Sequence, residues 1–356
     1  MAMPYIFSIQ HLRGFAASLV VIFHAVGHLG NPEQAYGVLA EYGRIGVDIF
    51  FVISGFVMWL IALKTETTRS DFLIHRAIRI FPLYWFFTLA VIAVALAVPS
   101  AFRYTTLEPD HVLKSFLLLP AQHPKLPGIH PVLLQGWTLE YEVFFYLVFS
   151  LFLPLSGGRR LLGILAALGA LFGLGLAIAP QSEVGRVYTS PLLLEFAGGL
   201  MLGYLYTRNA ILGPVAGGLL AVLFVVSSLP GGAFVEDGLS RAFWWGGPSV
   251  LLVYGMLCLE RRRGLPDLPF LKLLGDASYS LYLSHLFALG AVRLLWKGAP
   301  EAGSVDGIAY VATCLAAAVM LGVASHVFIQ KPMLKACRRL AERARGSAVR
   351  RQVSRA

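Results

Sequence analysis

Arg13 and His24 stand eleven residues apart on a segment that is otherwise apolar, LRGFAASLVVIFHAV. If this segment is helical, the spacing makes about three turns and ~16 Å of rise, so both side chains face the same way. One helix face then carries a permanent cation low and a titratable imidazole high. An Arg in a bilayer core is disfavoured by at least ~2.5 kcal/mol, and residues of this kind mark pathways or sites. The competing reading is an Arg that snorkels to the cytoplasmic edge and a His bonded to a neighbouring helix. The pair, taken with three further segments, favours chemistry.

The first of these is GVDIFFVISGFVMW. Asp48 opens its helix at the outer end, where a carboxylate interacts favourably with the helix N-terminus, and capping alone accounts for it equally well. Ser54 and Gly55 form a small pair that lets helices approach; no G-x-S-x-G elbow surrounds Ser54 to make it a nucleophile. The second is DFLIHRAIRIFPLYW, in which Arg76 and Arg79 share a helix face at the cytoplasmic boundary beside His75. Two guanidiniums so spaced can grip phosphate bidentately; positive-inside anchoring also accounts for them. Pro82 would bend the helix or set its first turn. The third is QGWTLEYEVFFYLVF, with Glu140 and Glu142 on different faces at the outer mouth. One of the two is expected to face inward. Glu142 shares its face with Tyr146, which gives a polar stripe, and Trp137 is expected at the membrane interface.

The elements that must position these groups are membrane helices. Of the 356 residues 57% are hydrophobic and only 13% charged, with a mean hydropathy of +0.72, whereas a soluble domain carries about a quarter charged residues. Ten apolar stretches can be read, at 12–30, 46–63, 80–98, 139–155, 161–179, 190–206, 211–229, 242–259, 277–296 and 308–328. Each is close to the ~20 residues a spanning helix needs. The expected fold is therefore all-α and polytopic, with about ten transmembrane helices. The first stretch lacks a small-residue cleavage site and reads as a retained helix. Residues 1–330 form the membrane domain and 331–356 a basic tail, either a surface helix or, the favoured reading, a solvated extension.

Lys and Arg distribution sets the orientation. With the N-terminus cytoplasmic, inner segments hold Lys64, Arg69, Arg76, Arg79, Arg159, Arg160, Arg208, Arg261, Arg262, Arg263, Lys272 and the tail. Outer loops hold Arg44, Arg103, Lys114, Lys125, Arg186, Arg241 and Lys297. Both termini are thus expected in the cytoplasm. The net charge of +10 then needs no nucleic acid, because anionic lipid headgroups attract it. Cys258, Cys314 and Cys337 offer no C-x-x-C spacing, so neither metal nor redox chemistry is expected. The external segment 99–138 reads as a cap; its His111, His123 and His130 lack metal-ligand spacing.

Depth connects the groups. At 1.5 Å per residue His24 lies ~18 Å above the inner end of its helix, and Ser54 and Glu142 descend from outside to nearly that level. Arg13, Arg76 and Arg79 stay near the inner face. An anion-binding inner mouth, a deep titratable group and outer carboxylates suit a reaction between a cytoplasmic phosphate-bearing donor and an external acceptor.

The chain resembles the acyltransferase-3 family of bacterial membrane proteins, close to the branch that O-acylates exopolysaccharides. The resemblance covers nearly the whole length and rests on motifs in order: Arg13 and His24 with ten residues between; GVDIFFVISGF at 46–56; Arg76 and Arg79 as an R-x-x-R pair; WTLEYEVFFY at 137–146; LLLEFAGGLMLG at 192–203; and SYSLYLSHL at 278–286. It implies transfer of an acyl group, usually acetyl, from acyl-CoA to a sugar hydroxyl, in the bacterial inner membrane. His24 would be the essential histidine with Arg13 its partner, and Arg76 and Arg79 would hold the CoA phosphates. Glu142 matches the glutamate of the family's W-S-L-x-x-E pattern, with Glu140 where others carry Ser. His285 follows Ser284, where relatives carry Trp. Glu195 matches a recurrent glutamate without an assigned role. Some relatives carry an external hydrolase-like domain, for which no room is expected after the tenth helix.

The residue types suit that chemistry. A neutral imidazole can take the proton of a sugar hydroxyl as it attacks a thioester, by direct transfer or through an acyl-histidine relay. Asp48 or Glu142 would orient the imidazole. Arg13, Ser54, Tyr146 and His285 would line the substrate path, with a glycan or lipid-linked oligosaccharide as acceptor. The competing class is a proton-coupled transporter or flippase, which also uses buried Arg, His and Glu. Against it, no duplicated halves are visible and the polar groups cluster in the first four helices.

Overall fold

The computed structural model describes residues 5–63, 68–98, 105–229 and 238–353. Lys64 and Arg103, counted for orientation above, lie outside them, as does the start of the expected cap. Among the described residues there is no strand, only two isolated bridges, and all ten apolar stretches coincide with helices. The principal helices are α1 (Phe7–Val26), α2 (Ile45–Ala62), α3 (Arg69–Ala97), α4 (Pro109–Leu117), α5 (Trp137–Leu151), α6 (Gly157–Ile178), α7 (Leu193–Thr207), α8 (Pro214–Ser228), α9 (Gly247–Arg263), α10 (Pro269–Leu295), α11 (Val305–Ser325) and α12 (Lys331–Val353). Among the described residues six helical runs are long and apolar enough to cross a membrane: 7–26, 42–62, 69–97, 157–178, 239–261 and 305–343.

Several helices begin earlier than the apolar pattern, because their first turns are polar and satisfied by specific partners. The backbone N–H groups of Phe7 and Ser8 donate to Glu260 at 2.7 and 3.0 Å, so a carboxylate on α9 caps α1 and faces its positive dipole end. Thr68 caps α3 by accepting from Asp71 N–H. Arg76 and Arg79 therefore lie two turns inside α3, and Pro82 sits within the helix rather than at its start.

Close backbone contact joins one row of helices. A Cβ on Gly199 of α7 would stand 2.0 Å from the Val52 carbonyl of α2, and one on Gly55 of α2 would stand 2.1 Å from the Phe196 carbonyl of α7. The small pair anticipated at 54–55 thus permits that approach, as small residues do between membrane helices. Gly46 meets Ala16 of α1 in the same way, and Gly275 of α10 meets Gln10 of α1. On the other side, α3 and α5 pack through rings, with Phe72 and Phe149 stacked at 5.4 Å.

The segment after α4 is tied down as a cap. Tyr84 and Trp85 of α3 donate to the carbonyls of Ser115 and Phe116, and His123 Nδ1 accepts from the N–H groups of Lys125 and Leu126. At the other end α11 passes through a π-helical turn, His326–Gln330, straight into α12. The basic tail is a helix, not the solvated extension favoured from sequence. Contacts with the cavity described below hold its first turns.

Candidate active site

α1 and α10 bring two imidazoles together. The rings of His24 and His285 lie 4.9 Å apart between centroids. His24 Nδ1 donates to the Val20 carbonyl at 2.8 Å and His285 Nδ1 to the Tyr282 carbonyl at 2.6 Å. A carbonyl only accepts, so Nδ1 holds the hydrogen of each neutral ring and Nε2 keeps its lone pair. His285 is completely buried with its Nε2 unpartnered, whereas His24 is half-buried. The expected carboxylate orienter is replaced by the carbonyl one turn back in His24's own helix.

Asp48 is engaged elsewhere. Arg241 donates to it through Nε at 3.0 Å and Nη2 at 3.1 Å, a bidentate pair in which both side chains are buried. Trp137 and Trp245 cover the guanidinium, with centroids 5.6 and 5.7 Å from its carbon. Trp137 thus shields a buried charge in addition to any place at an interface. A buried carboxylate without such a partner is strongly destabilising, which is why Asp48 neither caps α2 nor reaches His24. Glu195 of α7 lies beside the pair and interacts with Asp48. The outer-loop cation expected at Arg241 is thus a buried partner of Asp48, and Gly246 packs against Glu195 so closely that a Cβ there would stand 2.8 Å from its carboxylate.

A cavity of about 450 Å³ opens between α1, α2, α3, α5, α10 and α12. Arg13, Arg76, Arg79, Lys331 and Arg338 line it against two carboxylates, Glu142 and Asp276, so the excess charge is positive. Glu142 accepts from Ser54 Oγ at 3.2 Å and from Tyr146 Oη. Arg76 lies over the rings of Phe72 and Tyr146, and Arg79 over Tyr279 at 5.3 Å. Arg76 Nε is buried and unpartnered, a donor directed at nothing in the protein. Among the described residues Arg13 makes a long contact, 3.5 Å, with Gln10.

The structure therefore brings Arg13, Ser54, Arg76, Arg79, Glu142 and Tyr146 to one cavity and leaves Asp48, His24 and His285 outside its lining. Tyr282 stands between. Its ring lines the cavity, lies 6.0 Å from His285 and 6.2 Å from Phe50, and is held by Oη bonds to Gln135 and Thr138. His24 does not line the cavity, and the rings of Tyr282 and His285 connect the two. Glu140 is also buried, with both oxygens unpartnered, so both glutamates of α5 face protein and the expectation of a single inward carboxylate is corrected.

Residues 6–327 match the acyltransferase domain of the acyltransferase-3 family, and the chain belongs to that family of acyl-transferring enzymes. The exopolysaccharide production protein ExoZ of Rhizobium meliloti is 39% identical over 322 residues, covering 88% of this chain and 95% of that protein. The putative membrane-bound transacylase BcsY of Komagataeibacter xylinus is 28% identical, over 96% of this chain and 86% of its own length. The peptidoglycan O-acetyltransferase OatA of Listeria monocytogenes is 26% identical over 79% of this chain, a region equal to 49% of OatA. No solved structure matches the chain.

Proposed function

We propose that the protein is a multi-pass O-acyltransferase of the bacterial inner membrane, with ten spans and cytoplasmic termini. It moves an acyl group, in the simplest case acetyl, from cytoplasmic acyl-CoA to a sugar hydroxyl of an exopolysaccharide or another cell-surface glycan. The observation that carries this reading is a cation-lined cavity whose wall residue Tyr282 lies against His285, the ring partner of His24. The names of ExoZ and OatA support the acceptor class.

In this reading Arg13, Arg76 and Arg79 hold the CoA phosphates, Arg76 through its otherwise unpaired Nε. Guanidiniums suit that task because their planar fork matches phosphate oxygens. The pantetheine arm runs past Glu142 and Tyr146, and the thioester passes Tyr282 when that ring turns aside. The sugar oxygen attacks the thioester carbonyl carbon while His24 Nε2 takes the hydroxyl proton. The C–S bond then breaks, CoA leaves as thiolate, and the imidazolium returns the proton to it. Asp48 and Arg241 act by fastening α2 to the segment that leads into α9.

Purified protein with labelled acetyl-CoA and a glycan acceptor tests the reading. Acceptor-dependent CoA release that disappears in His24→Ala supports it, and glycan movement across liposomes without thioester cleavage refutes it. Unchanged acyl-CoA affinity in the Arg76→Ala/Arg79→Ala double variant removes the donor assignment.

A further inference from the structure

His326 is a titratable group on the cavity wall that this mechanism leaves unused. It opens the π-helical turn His326–Gln330, where α11 passes into α12. A turn with an extra residue is rare and concentrates at functional sites. The side chain is only 7% exposed and lines the cavity with Asp276, Ser278 and Lys331.

Its hydrogen bonding fixes what it can offer. Nδ1 lies 2.6 Å from Gln330 Oε1, which also accepts from Ser280 Oγ at 2.8 Å. An amide oxygen only accepts, so Nδ1 carries the hydrogen and Nε2 is a lone-pair acceptor. That Nε2 is buried and without a partner. An orphaned buried acceptor costs about 1–3 kcal/mol, which a ligand able to donate would recover.

The five cations of the cavity are all donors and suit phosphate. Glu142 is already accepting from Tyr146 and Ser54. A pantetheine arm presents secondary amide N–H groups that lose water on entering such a cavity and need acceptors of their own. A neutral, fixed acceptor supplies one without adding charge.

We propose that His326 is a donor-positioning residue whose Nε2 accepts a hydrogen bond from an amide N–H of the pantetheine arm. The proposal rests on the acyl-CoA reading above and adds how the arm is held between the phosphates and the thioester.

Full-length protein and its His326→Leu and His326→Gln variants are compared for binding of acetyl-CoA and of 3′-phospho-ADP, the fragment that keeps the phosphates and lacks pantetheine. Loss of one hydrogen bond weakens acetyl-CoA about 3- to 10-fold in His326→Leu. Binding of 3′-phospho-ADP stays at the parent level, which also shows that the variant is folded. The Gln oxygen reaches the place of Nε2 and restores most of the acetyl-CoA affinity. Equal weakening of both ligands, or no change in either, overturns the proposal. A parent protein that binds neither ligand overturns the donor assignment and this proposal together, and the two failures are told apart by whether the parent or only the variant is silent.

Discussion

His24 on α1 and His285 on α10 share one Nδ1 arrangement, each ring donating to a carbonyl of its own helix, with their centroids 4.9 Å apart. Two fixed tautomers side by side each leave an Nε2 lone pair that does not depend on a carboxylate.

Removing the base should therefore cost more than removing its neighbour. His24→Ala should lower acceptor-dependent acyl transfer about 10²- to 10⁴-fold. His285→Gln should have a smaller effect, because the Gln side chain still fills the site and can hydrogen-bond. CoA release from acetyl-CoA, followed in both variants at matched protein levels, checks the order.

For Asp48 and Arg241 the readout is stability. Either single neutral substitution, Asp48→Asn or Arg241→Met, strands a buried charge and should destabilise the fold by about 3–5 kcal/mol. The double variant should recover part of that loss. Thermal unfolding of the detergent-solubilised proteins completes the cycle; additive single effects would show that the two residues are not coupled.

Gly199→Ala forces a Cβ against the Val52 carbonyl and should destabilise by about 1–3 kcal/mol. Gly218 of α8 has open space where its Cβ would go, so Gly218→Ala should be neutral or slightly stabilising. Melting temperatures of the two variants, measured together, separate the packing effect from helix propensity.

Acidification should loosen the cap. Burial, and then the neighbouring His111 and His130, push His123 from 6.5 down to about 4, consistent with an Nδ1 that accepts two backbone hydrogens. The unfolded cap takes up a proton before the folded one, so this contribution is complete above 6.5 and is lost as the pH falls towards 4. Asn at the same position can accept from those N–H groups without titrating. Thermal stability of His123→Asn should accordingly fall less steeply across that window than the parent's.

The helices were legible because apolar runs of this length have few alternatives, and the cavity groups were legible because Arg13, Arg76, Arg79, Glu142 and Tyr146 interrupt such runs at helical spacing. Arg241 was not, since a cation between apolar stretches looks the same whether it faces solvent or a carboxylate 193 residues away. His326 escaped for a different reason: a single His at the end of an apolar stretch has no spacing to another polar group that marks it. The contact between Tyr282 and His285 had a signal in the sequence, their spacing of one helical turn.

The glycine contacts divide the molecule mechanically. Where main chains touch, as between Gly199 and Val52 or Gly275 and Gln10, helices have no slack to slide, so α10, α1, α2 and α7 behave as a keel. Rings such as Phe72 and Phe149 can tilt past one another instead. Swelling of the chamber to admit a long guest would fall to α3, α5 and α12, while the two histidines, both on keel helices, would keep their spacing.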